Sequence, residues 1–200
     1  EYADDLGMLT DDDFLAHCVH VDEREIDLLA ETGASVIHCP ASNMKLASGI
    51  APVQEMLDAG VNVGLGTDGA ASNNDLDLFD EIRDAAMIGK LARGDARDVA
   101  AEDAVRMATE GSAEAIGLPV GQIEAGGTAD IAVVDFDAPH LTPVHDYVSH
   151  LAYAVRGSDV RHTICDGEVL MADHEVQTLD EAAIKQRASE AAAALVDRAE

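Results

Sequence analysis

Asp68 is the residue whose position first suggests chemistry. It follows an apolar run at residues 61–65, and residues 69–74 after it offer only small or neutral side chains. A carboxylate at the end of a buried strand is partly desolvated and needs a partner. Such residues often cap the next helix or bind loop amides, but earlier apolar runs of this chain end in histidine. Since a carboxylate with converging imidazoles is typical of hydrolytic zinc or iron sites, we predict that Asp68 holds a divalent metal.

Three histidines lie on or just after the first two apolar runs. His17 and His20 are three residues apart, so on a continuing strand they would face opposite ways, and we expect only one to point into a barrel. A buried histidine with satisfied hydrogen bonds is the alternative for each. His38 ends the second run, where it either holds the loop at residues 39–43 by hydrogen bonds or contacts a substrate. Of the five later histidines, His150 could approach the site, and we expect the others at surface or structural positions.

The sequence lacks other common catalytic patterns. Its cysteines, Cys18, Cys39 and Cys165, show no CxxC spacing and no ordered Cys-His-acid arrangement, so they predict no nucleophile. The glycines within residues 64–69 and 125–128 lack the GKS or GxGxxG pattern of a phosphate-binding loop. Few cysteines, in odd number, favour a reduced cytoplasm.

The elements that would position these residues alternate over the first 118 residues. Asp22 with Glu25 predicts a capped helix start, and Gly33 predicts the end of that helix. Continuously apolar strands favour a parallel sheet covered by helices, either doubly wound or part of a (β/α)₈ barrel, with chemistry at the C-terminal strand ends. Strands are predicted at 14–19, 34–38 and 61–67, helices at 51–60 and 76–92, and a loop at 39–50.

After residue 118 the pattern changes to short strands with glycine-rich turns. Residues 121–137 predict a strand pair, and residues 160–176 predict a β-hairpin that turns at Asp166-Gly167. The Ala-rich end predicts a helix. We therefore predict three parts, an α/β portion over 1–118, a small β portion over 119–178 and a C-terminal helix over 179–200.

Composition limits the partners. The chain has 40 acidic and 12 basic residues, for a formal net charge of −28. Such a surface repels phosphate backbones and anionic lipids, so we expect neither nucleic acid nor membrane as a partner. No apolar run is long enough to predict a membrane span, and the N-terminal residues do not resemble a secretory signal. The acidic, lysine-poor composition favours a cytoplasmic protein kept soluble at high salt, with an ordinary acidic bacterial enzyme as the alternative.

Residues 16–74 strongly resemble the amidohydrolase superfamily, most specifically in the segments LASGIAPV and LGTDGAASNN. More narrowly, they resemble the branch of 5-methylthioadenosine/S-adenosylhomocysteine deaminases and related (ATZ/TRZ) chlorohydrolases. The resemblance continues through GQIEAGGTADIAVVDFD and VRHTICDGEVL, which are similar to that family's small β-sandwich. The implied fold is α/β, namely the C-terminal part of a (β/α)₈ TIM barrel, strands six to eight, with part of the sandwich and a C-terminal helix.

The same resemblance implies roles for site residues. His17 falls on barrel strand six, His38 on strand seven and Asp68 on strand eight. Asp68 matches the aspartate that binds the metal and shuttles protons, and His17 matches the histidine beside the hydrolytic water. His38, Ser42 and Asn43 are implied to line the substrate side. The implied cofactor is a divalent metal, with zinc favoured over iron or manganese.

The sequence also departs from the family pattern. The family has an HxH pair on strand one and, on strand five, a metal histidine and a substrate-contacting glutamate spaced HxxE. No HxH occurs here, and the HxxE formed by His20 and Glu23 lies in the strand-six segment, where Glu23 is predicted to open a helix. We therefore expect an incomplete chain, whether a fragment, a truncated gene product or one of two complementary chains.

The implied activity is hydrolytic deamination of adenosine-type nucleosides, with an aminopurine nucleoside as the small-molecule partner and a homo-oligomer if the protein is complete. A chlorohydrolase, or a deaminase of guanine or another cyclic amidine, is the alternative within the superfamily. An inactive half-barrel or interaction module is the third. Because a half-barrel exposes a sheet edge where strand five belongs, we expect this chain alone to be poorly soluble or to associate.

Overall fold

The computed structural model describes residues 1–198, and these divide into two compact units. The first unit comprises Glu1–Thr128 and Phe136–Asp159, and the second comprises Ala129–Asp135 and the segment from Val160 onward. None of the helices within residues 1–198 has the length and apolar character needed to cross a membrane.

The first unit consists of a small sheet and the helices that follow its strands. Its strands are β1 (Phe14–Ala16), β2 (Ser35–His38) and β3 (Val63–Leu65). Its helices are α1 (Tyr2–Asp5), α2 (Glu23–Thr32), α3 (Pro40–Lys45), α4 (Val53–Asp58), α5 (Ala70–Asn73), α6 (Leu78–Arg93), α7 (Ala101–Arg106), α8 (Ser112–Ala115) and α9 (Tyr147–Tyr153). A π-helical turn, Met107–Gly111, joins α7 to α8, and 3₁₀ turns span Pro139–Leu141 and Gly157–Asp159.

The sheet of the first unit is parallel, in the order β1-β2-β3, as the continuously apolar runs predict. Leu15, Val36 and Val63 are aligned across the three strands, and their side chains belong to or pack against the hydrophobic core beneath the helices. Successive residues of a strand point to opposite faces. The polar residues at the carboxyl ends of the strands are therefore carried on a rigid apolar base.

The predicted start and end of α2 are confirmed. The Asp22 carboxylate accepts a hydrogen bond from the Glu25 N–H at 2.9 Å, and the Glu25 carboxylate accepts one from the Asp22 N–H at 3.3 Å. Gly33 ends the helix in the left-handed conformation, with φ of 77°. This reciprocal capping fixes the direction in which the chain leaves the end of β1.

Two predicted segments differ from the structure. The first strand stops at Ala16 because His17 and Cys18 adopt left-handed φ values of 69° and 43°, which end the extended conformation. The segment predicted as a loop over 39–50 contains α3, which begins at Pro40. Proline suits a helix start because its φ is fixed near the helical value and its missing N–H is not needed there.

The second unit is antiparallel. Its strands follow the order β4-β5-β6-β7, and the predicted hairpin turn at Asp166-Gly167 joins β5 to β6. The strand pair predicted over 121–137 is wrong: of those residues, only β4 is a strand. The described part of this unit contains one sheet and an exposed helix: β4 (Ile131–Val134), β5 (Val160–Cys165), β6 (Glu168–Ala172), β7 (Glu175–Val176) and α10 (Glu181–Asp197).

The compact units divide the chain differently from the three predicted parts. Residues 136–159 return to the first unit, because α9 packs against α6 and α7 there. The Asp146 carboxylate caps α9 by accepting a hydrogen bond from the Ser149 N–H at 2.6 Å. An amphipathic segment of this kind is hard to assign from sequence, since nothing local shows which unit it will pack against.

Candidate active site

Asp68 lies just beyond β3, in a left-handed conformation with φ of 60°. Its Oδ2 is 3.8 Å from His17 Nε2, and the side chains of both residues are exposed to similar extents, 39% and 38%. The expectation of a partly desolvated carboxylate is therefore not met within residues 1–198. The expectation that one histidine of the first run would lie beside Asp68 is met by His17.

Two serine hydroxyls hold the Asp68 carboxylate. Ser42 Oγ in α3 donates to Oδ2 at 2.7 Å, and Ser72 Oγ in α5 donates to the same oxygen at 2.8 Å. The Ser42 bond, followed by those of Ser72 and the Gly69 N–H, lowers the pKa of Asp68 below its usual value. The segment after Asp68 thus does contribute a partner, contrary to the interpretation drawn from its neutral composition.

His17 is fixed on both sides. Its backbone N–H donates to the Ile37 carbonyl at 2.9 Å, and its Nδ1 lies 2.9 Å from Asn43 Oδ1. With the amide oxygen of Asn43 in this position, Nδ1 carries the proton and the neutral ring turns its Nε2 lone pair toward Asp68. An imidazole held in this tautomer can accept a hydrogen bond or a proton on the Asp68 side.

The predicted substrate-lining residues Ser42 and Asn43 are buried in this structure, with exposures of 1% and 3%. Both lie on α3, and their polar groups contact Asp68 and His17 respectively. The geometry therefore brings four predicted site residues into one connected group. Within this group, Ser42 holds the exposed side chain of Asp68, and Asn43 holds that of His17.

His38 stands apart from this group. In the sheet register it is opposite Leu65 and two residues from Val36, and it is 1% exposed. Neither ring nitrogen has a hydrogen-bond partner within residues 1–198. Burial, followed by the nearby charge of His17, lowers the pKa of His38 to about 4. The structure thus shows neither the loop-holding hydrogen bonds nor the open access that the two sequence interpretations require.

Within residues 1–198, His20 and His150 lie outside the Asp68 group, whereas Cys39 lies close to Asp68. His20 is exposed and Glu23 opens α2, so the HxxE pair takes no part in the Asp68 group. His150 Nδ1 lies 2.9 Å from the Asp146 carbonyl in its own helix. Burial, followed by the charges of Asp68 and Glu81, raises the pKa of Cys39 to about 11, which keeps its thiol protonated.

Glu81, in α6, contacts the two short helices that carry Ser42 and Ser72, and this residue was not predicted from the sequence. Its side chain is fully buried and accepts hydrogen bonds from the Ala41 N–H at 3.1 Å and from Asn73 Nδ2 at 2.5 Å. Burial raises its pKa to about 7. The signal in the sequence is a glutamate next to Ile82 and four residues before Ala85, on the apolar stripe of its helix.

The residues present fit part of a divalent metal site. Asp68 is an exposed carboxylate of lowered pKa, which suits it as an anionic ligand, and an imidazole lies beside it. Within residues 1–198, no group of three or more histidine, cysteine, aspartate or glutamate side chains is arranged to hold a metal ion. Further ligands would therefore have to come from outside the described residues.

Comparison with known proteins places this geometry in context. A 5-methylthioadenosine/S-adenosylhomocysteine deaminase from Haloarcula marismortui is 68% identical over 198 residues, which are 99% of this chain and 46% of that protein. A 5′-deoxyadenosine deaminase from Methanosarcina mazei is 49% identical over 98% of this chain and 45% of its own length. The chain thus spans about half the length of the curated relatives it matches. Halophilic organisms such as Halobacterium salinarum are among the sources, in agreement with the acidic composition.

Solved structures are similar in fold. A zinc-bound adenosine deaminase from Xanthomonas campestris has a TM-score of 0.93 and 40% identity, covering 94% of this chain and 44% of that one. A zinc-bound atrazine chlorohydrolase from Arthrobacter aurescens has a TM-score of 0.88 and 31% identity, covering 94% and 42%. The model of the amidohydrolase family matches residues 1–170. The chain therefore belongs to the amidohydrolase family.

Proposed function

We propose that the protein to which this chain belongs is a metal-dependent hydrolytic deaminase of adenosine-type nucleosides. The observation that carries this proposal is the Asp68 carboxylate, held by two hydroxyls, 3.8 Å from His17 Nε2 and exposed at the end of a parallel strand. The 68% identity to a 5-methylthioadenosine/S-adenosylhomocysteine deaminase supports the substrate class. We infer that β1, β2 and β3 are strands six to eight of a (β/α)₈ barrel.

The proposed chemistry assigns separate roles to Asp68 and His17. Asp68 would hold a divalent metal, with zinc favoured by the zinc-bound neighbours. Such a metal, when bound, makes water acidic enough to be activated near neutral pH. Asp68 accepts the proton of the attacking water and delivers it to the departing ammonia. His17 takes up a proton on Nε2, and the resulting imidazolium stabilises the negative charge that develops on the oxygen added to the purine ring.

Ser42 and Asn43 act through these two residues in the proposed site. Ser42 keeps Asp68 ionised and oriented, and Asn43 keeps the His17 ring in one tautomer. The glutamate that protonates the ring nitrogen, and the remaining metal ligands, would come from the part of the protein that this chain does not contain. We also infer a cytoplasmic protein, homo-oligomeric when complete, that works at high salt.

A chlorohydrolase of the same family is the second candidate, because the atrazine chlorohydrolase has a similar fold. The adenosine deaminase has the higher identity and TM-score, which favours the deaminase. Parallel assays of adenosine, 5′-methylthioadenosine, guanine and atrazine separate these activities. A chain that stays inactive on all of them and binds no metal after completion would support the third alternative, an inactive half-barrel or interaction module.

The proposal is tested in a chimera in which this chain replaces the matching segment of the Haloarcula marismortui relative. We expect the chimera to bind zinc and release ammonia from 5′-methylthioadenosine. The Asp68→Ala variant should lose bound zinc and activity together, whereas the control Asp58→Ala, which alters an exposed carboxylate of α4, should keep both. Retention of zinc and turnover by Asp68→Ala would refute the assigned role.

A further inference from the structure

Glu81 carries a carboxylate that is buried where its helix presents apolar residues to the core. Its neighbours Ile82 and Ala85 belong to the hydrophobic core. An ionised carboxylate is costly to bury unless hydrogen-bond donors face it. Its two donors, the Ala41 N–H and Asn73 Nδ2, come from two different short helices, α3 and α5.

Each donor is adjacent in sequence to a serine that holds Asp68. Ala41 precedes Ser42 on α3, and Asn73 follows Ser72 on α5. Glu81 joins the two helices, because one of its oxygens accepts the bond from Ala41 and the other accepts the bond from Asn73. The same two helices carry Ser42 and Ser72, which both donate to Oδ2 of Asp68. These four hydrogen bonds therefore connect α6 to Asp68 by two routes, one through α3 and one through α5.

The other end of α3 has a weaker connection of the same kind. Lys45 Nζ donates to the Ala71 carbonyl at 2.9 Å and also contacts Asn74 Oδ1. These contacts are exposed to solvent. The buried Glu81 contacts are shielded from water, so they constrain the helices more strongly.

We propose that Glu81 is a positioning residue that sets the spacing of α3 and α5, so that Ser42 and Ser72 reach the same oxygen of Asp68. The inference rests on the proposed function only in that Asp68 is the group that the reaction uses. A carboxylate suits this task because it offers two acceptor oxygens in one plane. Glutamine offers one acceptor oxygen and leucine offers none.

The start of α3 shows why the bond to Ala41 is needed. Cys39 occupies the N-cap position and makes no side-chain capping bond, and Pro40 has no N–H. Ala41 is then the first residue of the helix with a backbone donor, and its partner is Glu81. Removing the acceptor would leave that N–H unpaired at the start of the helix that carries Ser42.

The test measures the pKa of the Asp68 carboxyl group by ¹³C NMR in the metal-free chimera in concentrated KCl. In Glu81→Leu the serine bonds should loosen, so the pKa of Asp68 should rise toward the ordinary aspartate value of about 3.9. Glu81→Gln, which keeps one acceptor, should cause a smaller rise. With a pKa of about 7, Glu81 is already protonated over the acidic range in which Asp68 titrates. Its replacement then removes no charge in that range, so a raised pKa of Asp68 reports loosened serine bonds.

Asp84→Asn is the matched control, because it removes a half-buried carboxylate from the same helix. Within residues 1–198 its side chain makes no hydrogen bond to α3 or α5, so the pKa of Asp68 should not rise. An unchanged or lowered pKa of Asp68 in Glu81→Gln and Glu81→Leu would overturn the proposal. If Glu81→Leu fails to give a folded spectrum, the direction of the change in Glu81→Gln decides.

The chimera gives a second readout. Glu81→Leu should lower kcat for 5′-methylthioadenosine by about tenfold or more while KM changes little, because the reacting groups and not the substrate contacts are displaced. If the chimera is inactive with Glu81 intact, the proposed function fails. The positioning role is still decided by the NMR measurement, because that measurement does not depend on catalysis.

Discussion

Ser72 and Asp68 are four residues apart, and the Ser72 hydroxyl lies 2.8 Å from Asp68 Oδ2, the oxygen that also accepts the bond from Ser42. Two donors on one oxygen favour the ionised carboxylate. They also leave the orientation of the group fixed although its side chain is 39% exposed. An exposed acid is thereby held in one place without being buried.

The first prediction concerns these two hydroxyls. Ser42→Ala and Ser72→Ala should each raise the pKa of Asp68, with the larger effect for Ser42→Ala, because its bond contributes most to the lowered value. The double variant should exceed either one. NMR titration of the Asp68 carboxyl carbon measures this, with the exposed Ser48→Ala as control. A double variant that titrates like the unmodified chain would contradict the assignment.

Much of the framework could be predicted from sequence because its signals are local. Asp22 and Glu25 carry the capping pattern of α2, and the apolar runs that become β2 and β3 end in residues of the site. Asp68 and His17 could be paired because parallel strands place their carboxyl ends at one edge of the sheet. That pairing depended on the order of the elements and on the family resemblance.

The residues that could not be predicted from sequence act through contacts that depend on the folded backbone. Glu81 bonds to Ala41, forty positions away, and no local pattern contains that information. Ser72 was visible as a hydroxyl four residues after Asp68, but its role depends on the left-handed turn at Asp68. The unpaired ring of His38 could not be foreseen either, since alternation in β2 decides which face it takes.

The second prediction concerns the tautomer of His17. Because Nδ1 lies 2.9 Å from Asn43 Oδ1, the neutral ring should be protonated at Nδ1. Long-range ¹H–¹⁵N NMR above neutral pH should show Nδ1 as the N–H nitrogen and Nε2 as the bare one. Asn43→Leu should give a mixture of tautomers, whereas Asn74→Leu should not. A ring protonated at Nε2 in the unmodified chain would show that the amide of Asn43 is turned the other way.

The third prediction is a pH dependence of stability set by His38. Its pKa is about 4 in the folded chain and 6.5 in the ordinary state, so the unfolded chain binds the extra proton between these values. The free energy of unfolding should therefore be fully maintained above pH 6.5 and fall as the pH drops toward 4. The loss should be on the order of 3 kcal/mol, since one pKa unit corresponds to about 1.4 kcal/mol.

Urea unfolding at pH 7 and pH 5 in concentrated KCl measures the His38 effect. His38→Leu should reduce the difference between the two pH values, because the unfolded chain then has one fewer group to protonate. The exposed His145→Gln should leave the difference unchanged. An equal pH dependence in His38→Leu and the unmodified chain would assign the effect to other groups.

The fourth prediction concerns the contact between β3 and the π-helical turn. A Cβ added at Gly111 would lie 2.3 Å from the Val63 carbonyl oxygen, so Gly111→Ala should push the turn away from the strand that leads to Asp68. Overpacking of this kind costs about 1–3 kcal/mol. Gly69→Ala is the control, because a Cβ there meets nothing within 4 Å. Urea unfolding should give a clearly lower free energy of unfolding for Gly111→Ala than for Gly69→Ala.

The fifth prediction concerns the open edge of the parallel sheet. Within residues 1–198, β1 pairs only with β2, and Phe14 on β1 is 50% exposed. An unpaired strand edge with an apolar side chain favours pairing with another chain, so the purified 200-residue chain should associate. Phe14→Lys should reduce the associated fraction in light-scattering chromatography, because a charged lysine opposes edge-to-edge pairing. Leu91→Lys, which changes an equally apolar and more exposed position on α6, should not reduce it. A chain that is monomeric without either substitution, and melts cooperatively, would show that this edge is protected in solution.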